Sequence, residues 1–307
     1  MIDMLKQTYD DNTLRFAREV LTEKDYRKAD YEFKRIVLKI LDEGTLDKNP
    51  RPKYEDGTPA HTISINHEMV TFNISKGEFP IITLRPIPFK SAIGEILWIY
   101  KDASNNLDLL FDKYGITWWD SWDIGNRTIG CCYGETVRRH NLMNNLLDGI
   151  KNDEDGRRHI MSLWQEEDFK HPHGLKPCCF LTNWAVRHEK DGDYLDMCLY
   201  QRSADFAVGV MSNWVQYGTF LILVAKCLGY KPGKFTWFAN NVQIYDRHIN
   251  QCIQMLHRPS VTCDPHIELT DSINNFFDID IADIRLVDYD RKFIASINPQ
   301  LKFEIGI

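Results

Sequence analysis

A cysteine begins one strand-like segment of the chain, and an arginine lies near the end of the next. Cys178 opens residues 178–188, and the second segment, residues 194–202, ends at Arg202 within the sequence YQRSAD. A cysteine in such a segment is by default a small buried apolar side chain. An arginine fork fits phosphate oxygens, however, and a nearby guanidinium favours the thiolate over the thiol. The pair therefore indicates a cysteine nucleophile beside an anion-binding group.

Glu95 is unusual because of the residues around it. It lies within residues 89–100, FKSAIGEILWIY, which predict a helix that is apolar on nearly every side. Most helical glutamates are solvated, but this helix has almost no polar face on which to be solvated. Burial raises the pKa of a carboxyl group, and such a group can carry protons near neutral pH. We therefore interpret Glu95 as a candidate proton carrier.

Two other clusters have both an ordinary and a functional explanation. Arg157 and Arg158 end the acidic stretch DEDGRRH, and a charged loop end is usually just solvated. The run WWDSW at 118–122 is more often part of a core than of a ligand site. Three tryptophans so close together nevertheless offer a flat surface for a heterocycle.

The rest of the sequence predicts the elements that must position these residues. A helix with one apolar face is expected to end at Gly44, with Asp30 as its N-cap. Further segments are expected in chain order: a surface loop at 45–59, a strand at 61–74, a strand at 194–202, an apolar helix after Asn213, a strand near 233–245 and a loop at 258–276. Long helices and clustered strands without regular βαβ alternation indicate the α+β class.

Length and composition limit the classes of protein that fit. The chain has 307 residues, and we expect a single domain over residues 1–307, of which residues 1–30 form an N-terminal helical extension. The net charge of −7 disfavours nucleic acid as a partner, because such proteins usually carry a basic face. An acidic protein can still bind an anion where arginines are concentrated.

The cysteines and the apolar runs indicate where the protein works. None of the eight cysteines has paired CxxC spacing, so we expect no metal site and free thiols in a reducing, cytoplasmic environment. The longest apolar run, residues 214–228, contains Gln216 and Lys226 and is too short to span a bilayer comfortably. We therefore expect no membrane partner.

Several blocks of the sequence, taken in order, resemble the thymidylate synthase family over roughly residues 31–250. The blocks are FPIITLRPIPFKSAIGEILW (79–98), WWDSW (118–122), YG (133–134), GRRHIMSLW (156–164), LKPC (175–178), LYQRSAD (199–205), VGVMSN (208–213) and IYDRH (244–248). The resemblance implies an α+β fold in which a mixed β-sheet is flanked by helices. It also implies that two such sheets pack back-to-back in a homodimer.

The resemblance further implies an activity, the reductive methylation of dUMP at C5 by 5,10-methylenetetrahydrofolate. Cys178 would add to C6 of the uracil ring, which makes C5 nucleophilic towards the folate methylene. The same folate would then supply a hydride, releasing dTMP and dihydrofolate. Folate is thus a co-substrate, and the resemblance implies no metal, flavin or nicotinamide.

Roles for individual residues also follow from the resemblance. The implied catalytic residues are Cys178, Glu95, Tyr133 and Arg202. Those implied in dUMP binding are Arg51, Arg157, Arg158, Arg202, Ser203, Asn213, Gln243 and Tyr245, with Arg157 and Arg158 reaching the partner's site. Those implied in folate binding are Arg85, Trp118, Trp119, Asp205, Gly209 and Ile307.

Some positions depart from the usual pattern of that family. Cys179 stands where a histidine is common, and Met-Ser at 211–212 replaces Pro-Phe. Gln243 stands where a histidine usually holds the sugar 3′-hydroxyl, which leaves the preference for deoxyribose open. The loop around Arg51 has the sequence PRPKYEDGT in place of an Arg-Thr-Gly pattern.

Two alternatives remain at the level of the sequence. A nucleotide hydroxymethylase of the same superfamily would add water to the methylene intermediate where the synthase adds hydride. An inactive nucleotide-binding homologue, with a structural or regulatory role, is an alternative of another class. The joint presence of Cys178, Glu95, Arg202 and Asn213 argues against the inactive homologue.

Overall fold

The computed structural model describes Glu19, Leu21 and residues 26–307. Most of the predicted N-terminal extension, residues 1–30, lies outside these described residues. Helix α1 covers Lys28–Glu43, and Gly44 follows its last residue, which confirms the predicted end of this helix.

The remaining elements of the described chain are as follows. The helices are α2 (Phe89–Ile96), α3 (Leu107–Tyr114), α4 (Gly134–Arg139), α5 (Leu142–Asn152), α6 (Gly209–Leu228), α7 (Ile249–His257) and α8 (Arg291–Ile297). The strands are β1 (Thr45–Leu46), β2 (Thr62–Asn73), β3 (Ile160–Ser162), β4 (Cys179–Glu189), β5 (Gly192–Asp205), β6 (Lys231–Tyr245), β7 (His266–Leu269) and β8 (Ile284–Val287). The predicted long strands are confirmed, and so is the apolar helix, which begins before Asn213.

Six strands form one mixed sheet in the order β1-β2-β6-β5-β4-β3. Strands β5 and β6 run parallel and are joined by α6, whereas the other neighbouring pairs run antiparallel. The register places Gln201 of β5 beside Cys179 of β4 and Ala239 of β6. The beginning of β4 therefore meets the end of β5 in the interior of the sheet.

Helices cover one face of this sheet. Helix α6 packs against α2 and against strands β5 and β6, while α1 packs against β2. Fully buried aromatic side chains fill the layer between them, among them Trp214, Phe220 and Trp237. Removing one such ring, as in Phe220→Ala, would cost about 3–5 kcal/mol of stability because it leaves a cavity. The site is therefore built on a rigid support.

The opposite face of the sheet is only partly covered. Phe180, Tyr200 and Phe238 are half-buried there, and Met69 is 61% exposed. The rings of Tyr200 and Phe238 lie 5.7 Å apart, so these side chains form a continuous apolar surface. Surfaces of this kind commonly mark contacts with another protein.

The prediction that Asp30 caps helix α1 is wrong. The helix begins at Lys28, so Asp30 lies inside its first turn, and the N-cap residue Arg27 makes no capping bond. The buried Asp30 carboxylate instead accepts hydrogen bonds from Thr83 N at 2.7 Å and Ser260 Oγ at 2.7 Å. It ties the helix to two distant loops, which local sequence does not reveal.

The loop predicted over residues 258–276 is wrong in part. It contains β7, which pairs with β8 in a separate two-stranded sheet. Strands this short carry little pattern of their own, and their pairing partner lies further along the chain.

Candidate active site

Cys178 and Arg202 are held together at the junction of β4 and β5. The backbone N–H of Arg202 donates to the Cys178 carbonyl at 2.9 Å. The Arg202 guanidinium donates to the carbonyls of Lys176 at 2.6 Å and Pro177 at 2.9 Å, and its Nη2 lies 3.7 Å from Cys178 Sγ. It also lies 5.6 Å from the ring centroid of Trp164. The protein alone therefore fixes a positive charge beside the sulfur.

Burial decides how this thiol titrates. It raises the pKa of Cys178 above the ordinary value, and Arg202, Tyr133 and Arg51 offset part of that rise. The guanidinium favours the thiolate, as expected, but desolvation outweighs it. Arg51 is exposed and close enough to act on the thiol, so the structure brings Arg51, Arg202 and Cys178 together.

Tyr133, the residue before α4, supports Cys178. Its hydroxyl accepts a hydrogen bond from the Cys178 N–H at 3.1 Å. Its backbone φ is +50°, a strained value for a bulky residue that costs on the order of 1–3 kcal/mol. Gly134 follows because a Cβ there would lie 2.1 Å from the Ser104 carbonyl oxygen. The Tyr-Gly pair thus has a structural reason, and Tyr133 shows the kind of strain found at functional sites.

Glu95 lies in the last turn of α2, which continues as a π-helical turn over Leu97–Lys101. Such turns often occur at functional sites. Burial raises the pKa of Glu95 to about 7, while Trp118, Gln216 and Trp119 lower it in part. The strongest of these contacts is a hydrogen bond of 2.6 Å from Trp118 Nε1. The side chain therefore titrates near neutral pH, as its apolar helix predicted.

The two adjacent tryptophans have different environments. Trp118 is 37% exposed. Trp119 is 5% exposed and packs against Trp98, Trp122 and Tyr133, with centroid distances of 5.9, 5.4 and 4.8 Å. Trp118 is thus accessible to a ligand, whereas Trp119 forms part of a buried wall behind it.

Asn213 lies near the start of α6 in a chain of side-chain amides. Trp237 Nε1 donates to Gln201 Oε1 at 2.8 Å, and Gln201 Nε2 donates to Asn213 Oδ1 at 3.1 Å. Asn213 Nδ2 donates to Gln216 Oε1 at 2.9 Å, and Gln216 Nε2 donates to the Ala92 carbonyl at 3.2 Å. The Asn213 amide retains one N–H and one oxygen lone pair for a ligand.

Asp205 ends β5 beside a group of buried charges. Burial raises the pKa of Asp205, and His248 and two backbone N–H groups offset part of the rise. Arg85 lies nearby, is 5% exposed and donates to the Ala207 carbonyl at 3.1 Å. Its guanidinium lies 5.3 Å from the ring centroid of Phe303, and burial lowers the pKa of Arg85 to about 10. Direct contact between Arg85 and a folate stays a prediction.

The C-terminal segment is joined to the loop that carries Arg51. Lys53 and Ile307 exchange two backbone hydrogen bonds of 2.8 and 2.9 Å. Arg247 bridges the same two segments, donating to Glu304 at 2.6 Å and to Asp56 at 2.8 Å. The chain end is therefore held beside the 45–59 loop.

The other predicted ligand-binding residues lie at this same edge of the sheet: Ser203, Gly209, Gln243 and Tyr245. Burial raises the pKa of Tyr245, and Asp205 and Cys178 add to the rise, so Tyr245 lies near both. A Cβ at Gly209 would come within 3.9 Å of Asn213 Oδ1, which shows how close the start of α6 lies to this amide.

Arg157 and Arg158 are not brought to this centre. Both side chains are exposed, and neither forms a hydrogen bond or ion pair with any described residue. The neighbouring His159 carbonyl accepts from Trp184 N, six residues along β4 from Cys178, which corresponds to about 20 Å of strand. No arginine side chain spans that distance within one chain.

Sequence reasoning missed the roles of Gln201 and Gln216. Gln216 is 2% exposed within the longest apolar run of the chain. A polar side chain in such a helix must find partners, because burying it without hydrogen bonds is costly. A glutamine that interrupts an apolar run was therefore the signal that could have identified Gln216.

Fold and site together define an α+β protein in which a cysteine thiol lies beside an arginine, and in which the pKa of a buried carboxyl group is raised to about 7. The profile of the family "Thymidylate synthase" matches residues 31–302. The thymidylate synthase of Lactococcus lactis subsp. cremoris is 44% identical over 281 residues, covering 91% of this chain and 99% of that protein. The thymidylate synthase of Streptococcus gordonii is 43% identical over 282 residues, with the same shares covered.

A solved structure agrees with these relatives. Thermostable thymidylate synthase A from Bacillus subtilis superposes with a TM-score of 0.82 at 29% identity, covering 91% of this chain and 99% of that one. The chain therefore belongs to the thymidylate synthase family, whose members are folate-dependent methyltransferases.

The described part of the chain lacks two further features. None of the helices in this part of the chain is both long and apolar enough to cross a membrane. Within Glu19, Leu21 and residues 26–307, no group of three or more His, Cys, Asp or Glu side chains is arranged to hold a metal ion.

Proposed function

We propose that this protein methylates dUMP at C5 with 5,10-methylenetetrahydrofolate, through a covalent bond between Cys178 and C6 of the base. The observation that carries the proposal is the position of Cys178 Sγ, 3.7 Å from Arg202 Nη2 at the junction of β4 and β5. A thiol in that position can attack a ring whose phosphate is bound by the neighbouring arginine.

The bonds change in a fixed order. The Cys178 sulfur adds to C6, and the electron pair of the C5–C6 double bond attacks the folate methylene. Loss of the C5 proton expels the folate and leaves an exocyclic methylene on C5. Hydride from the same folate reduces that methylene to methyl, and the sulfur leaves as dTMP and dihydrofolate form.

The phosphate of dUMP is assigned to Arg51, Arg202 and Ser203. Arg51 and Arg202 both act electrostatically on Cys178, so their charges lie close to one point in a chain of net charge −7. Charge-assisted hydrogen bonds from a guanidinium are the strong kind for a phosphate dianion. Gln243 and Tyr245 are assigned to the sugar, beside Asp205 and Cys178.

Binding of the base and transfer of its protons are assigned to Asn213, Glu95 and Tyr133. Asn213 would bond to N3–H and O4 of uracil with its two unused positions. Glu95, with its pKa raised to about 7, would move protons near O4, and Tyr133 would act around C5.

The folate is assigned to the exposed side of the same site, with Trp118 against its rings, the buried Trp119 forming the wall behind Trp118, and Asp205 and Gly209 at the pterin. Ile307, held against Lys53, would close over it. Arg85 would act near the folate tail, although its burial against Phe303 favours an indirect contribution.

We further propose a homodimer in which the partly covered sheet face forms the interface. Half-buried aromatic side chains on that face support it. The unpaired Arg157 and Arg158 support it too, because two exposed guanidinium groups about 20 Å from their own Cys178 are free to reach the partner's phosphate. The cytoplasm is the proposed location, since all eight cysteines are free.

Identifying the product tests the proposal against the hydroxymethylase. Incubation with dUMP and methylenetetrahydrofolate should yield dTMP and dihydrofolate in equal amounts, followed by mass spectrometry and absorbance. Removing Ile307 should slow the hydride step, because water is then less well excluded. A wild-type product heavier than dTMP by one oxygen atom, without dihydrofolate, would replace the synthase with a hydroxymethylase.

A further inference from the structure

A half-buried lysine lies close to Cys178 in the chain. Lys176 precedes the cysteine by two residues, and its ammonium group forms no hydrogen bond or ion pair with any described residue. The ammonium group instead lies against two aromatic rings, with Nζ 4.4 Å from the ring centroid of Phe169 and 5.6 Å from that of Trp164. A half-buried cation without a carboxylate beside it is available to an anionic ligand.

The two rings restrict where this ammonium group can go. Trp164 and Phe169 meet edge to face with their centroids 4.8 Å apart, and Trp164 Nε1 donates to Glu166 Oε1 at 2.7 Å. Phe169 lies in a single 3₁₀ turn over Asp168–Lys170. Cation–π attraction favours the position of Nζ against these rings, so the long lysine side chain is already partly ordered.

Trp164 also contacts the arginine beside Cys178. Arg202 Cζ lies 5.6 Å from the Trp164 centroid, the same distance as Lys176 Nζ. Arg202 Nη2 donates to the Lys176 carbonyl at 2.6 Å, and that carbonyl lies 3.9 Å from Cys178 Sγ. Lys176 therefore meets Arg202 through its main chain and through a shared indole ring.

No carboxylate of the described chain neutralises these two cations. The Arg202 guanidinium donates to the carbonyl oxygens of Lys176 and Pro177, and neither Arg202 nor Lys176 forms an ion pair with a described residue. Glu166 is exposed and bonds the indole edge instead. Two like charges on one ring repel each other, and a phosphate dianion bound beside them would relieve that repulsion.

We propose that Lys176 is an additional phosphate-binding residue of the nucleotide site, held towards Arg202 by the rings of Trp164 and Phe169. Its ligand is a phosphate monoester, and its compact ammonium group adds a point charge to the forked contact that a guanidinium makes. The inference rests on the proposed function, because it takes Arg202 to bind the phosphate of dUMP.

The test compares dUMP with deoxyuridine, which lacks the phosphate. On the full-length protein, calorimetry gives the dissociation constant of dUMP, and displacement of dUMP gives that of deoxyuridine. Lys176→Met keeps an unbranched side chain and removes the charge. We expect the preference for dUMP over deoxyuridine to fall about tenfold, because one charge-assisted contact is lost, while the affinity for deoxyuridine stays the same. Lys176→Arg should keep most of the preference, because it keeps a charge that stacks on aromatic rings.

Lys190→Met is the matched control. Lys190 is exposed and follows the last residue of β4, whereas Lys176 lies before the first residue of that strand. Both variants change the net charge equally, but Lys190 lies about 35 Å of strand away from the site. The preference for dUMP should stay at the wild-type value. A fall as large as that in Lys176→Met would show that net charge alone is responsible and would contradict the inference.

Phe169→Leu tests the part played by the rings. Leucine keeps an apolar contact but removes the ring face nearest to the ammonium group, so we expect the preference to fall about two- to threefold. In a Lys176→Met background the same change should have no further effect, because the group that the ring positions is gone. A further fall in that background would show that Phe169 does not act through Lys176.

The outcomes separate this inference from the proposed function. An unchanged preference in Lys176→Met, in a protein whose wild type prefers dUMP, would overturn the inference alone. A wild type that binds dUMP no more tightly than deoxyuridine would overturn the assignment of the phosphate to Arg202 and the inference together.

Discussion

Arginines occur in two contrasting states in this molecule. At the Cys178 centre, Arg202 donates to two carbonyls and stacks against Trp164, so its position is set by its own chain. In the loop before β3, Arg157 and Arg158 are exposed and have no partner among the described residues. A guanidinium that is already bonded loses little further freedom when a ligand arrives, whereas an unpaired one must be ordered by what it binds. Under the proposed homodimer, one chain preorganises the site and the exposed arginines of the second chain complete it.

The largest effect is expected at the nucleophile. Cys178→Ala should lower kcat by more than about 10³-fold, because no other group can form the bond to C6. Cys179→Ala should retain most of the activity, since Cys179 is buried behind the nucleophile and burial raises its pKa well above the ordinary value. Steady-state kinetics of both variants check this. A covalent adduct with 5-fluoro-dUMP and folate on Cys179 would reverse the assignment.

The proposed contribution of a partner chain to the active site can be tested by mixing variants. The double variant Arg157→Ala/Arg158→Ala should raise the KM for dUMP about 10- to 100-fold, the effect of losing charged hydrogen bonds to a phosphate. After subunit exchange with Cys178→Ala, one site in each mixed dimer contains neither lesion. A statistical mixture should therefore recover about a quarter of the wild-type activity.

Exchange itself needs a control in that experiment, provided by differently tagged wild-type subunits that co-purify after mixing. If mixed dimers form and remain no more active than the arginine variant, these arginines act in their own chain or not at all. Arg202 and the pair Arg157 and Arg158 would then differ only in how exposed their side chains are.

The smallest expected effect concerns Glu95, the proposed proton carrier. Trp118→Phe keeps an aromatic ring but removes the N–H that donates to Glu95 at 2.6 Å. Losing a donor to the anion favours the neutral acid, so the pKa of Glu95 should rise from about 7 by about one unit at most. The limb of the pH–kcat profile that follows ionisation of Glu95 should move to higher pH by the same amount.

Trp122→Phe is the matched control for the pH profile. Trp122 packs against Trp119 but does not contribute to the pKa of Glu95, so its replacement should leave the limb in place. An unshifted limb in Trp118→Phe would mean that the hydrogen bond does not govern the titration of Glu95 during turnover.

Much of the site could be predicted from residue types and their local setting. The titration of Glu95 near neutral pH followed from one helix that is apolar all round, because burial on such a helix does not depend on the partner it packs against. The strand that follows Cys178 and the strand that contains Arg202 were also recognisable from their composition and length. The α+β class followed from the order of these elements.

Other properties depended on residues that are distant in sequence. The pKa of Cys178 is raised although an arginine lies beside it, because the depth of burial is set by the packed sheet and helices. Asp30 was expected to cap its own helix and instead bonds Thr83 and Ser260. A side chain with several available partners is assigned to one of them only when the chain has folded.

The sequence by itself determined the set of reactive groups and the helices and strands that carry them. Residue types and the spacing of apolar residues are local properties of the chain. Tertiary structure alone decided how those groups are oriented and which of them meet. The direction of the Asn213 amide depends on Trp237 and Ala92, at the two ends of a chain of hydrogen bonds that joins four separate elements. The separation of Arg158 from Cys178 depends on the register of β3 against β4. Hydrogen bonds and strand registers between distant segments exist only in the folded chain. For this physical reason, the sequence alone does not determine how the reactive groups are oriented or which of them meet.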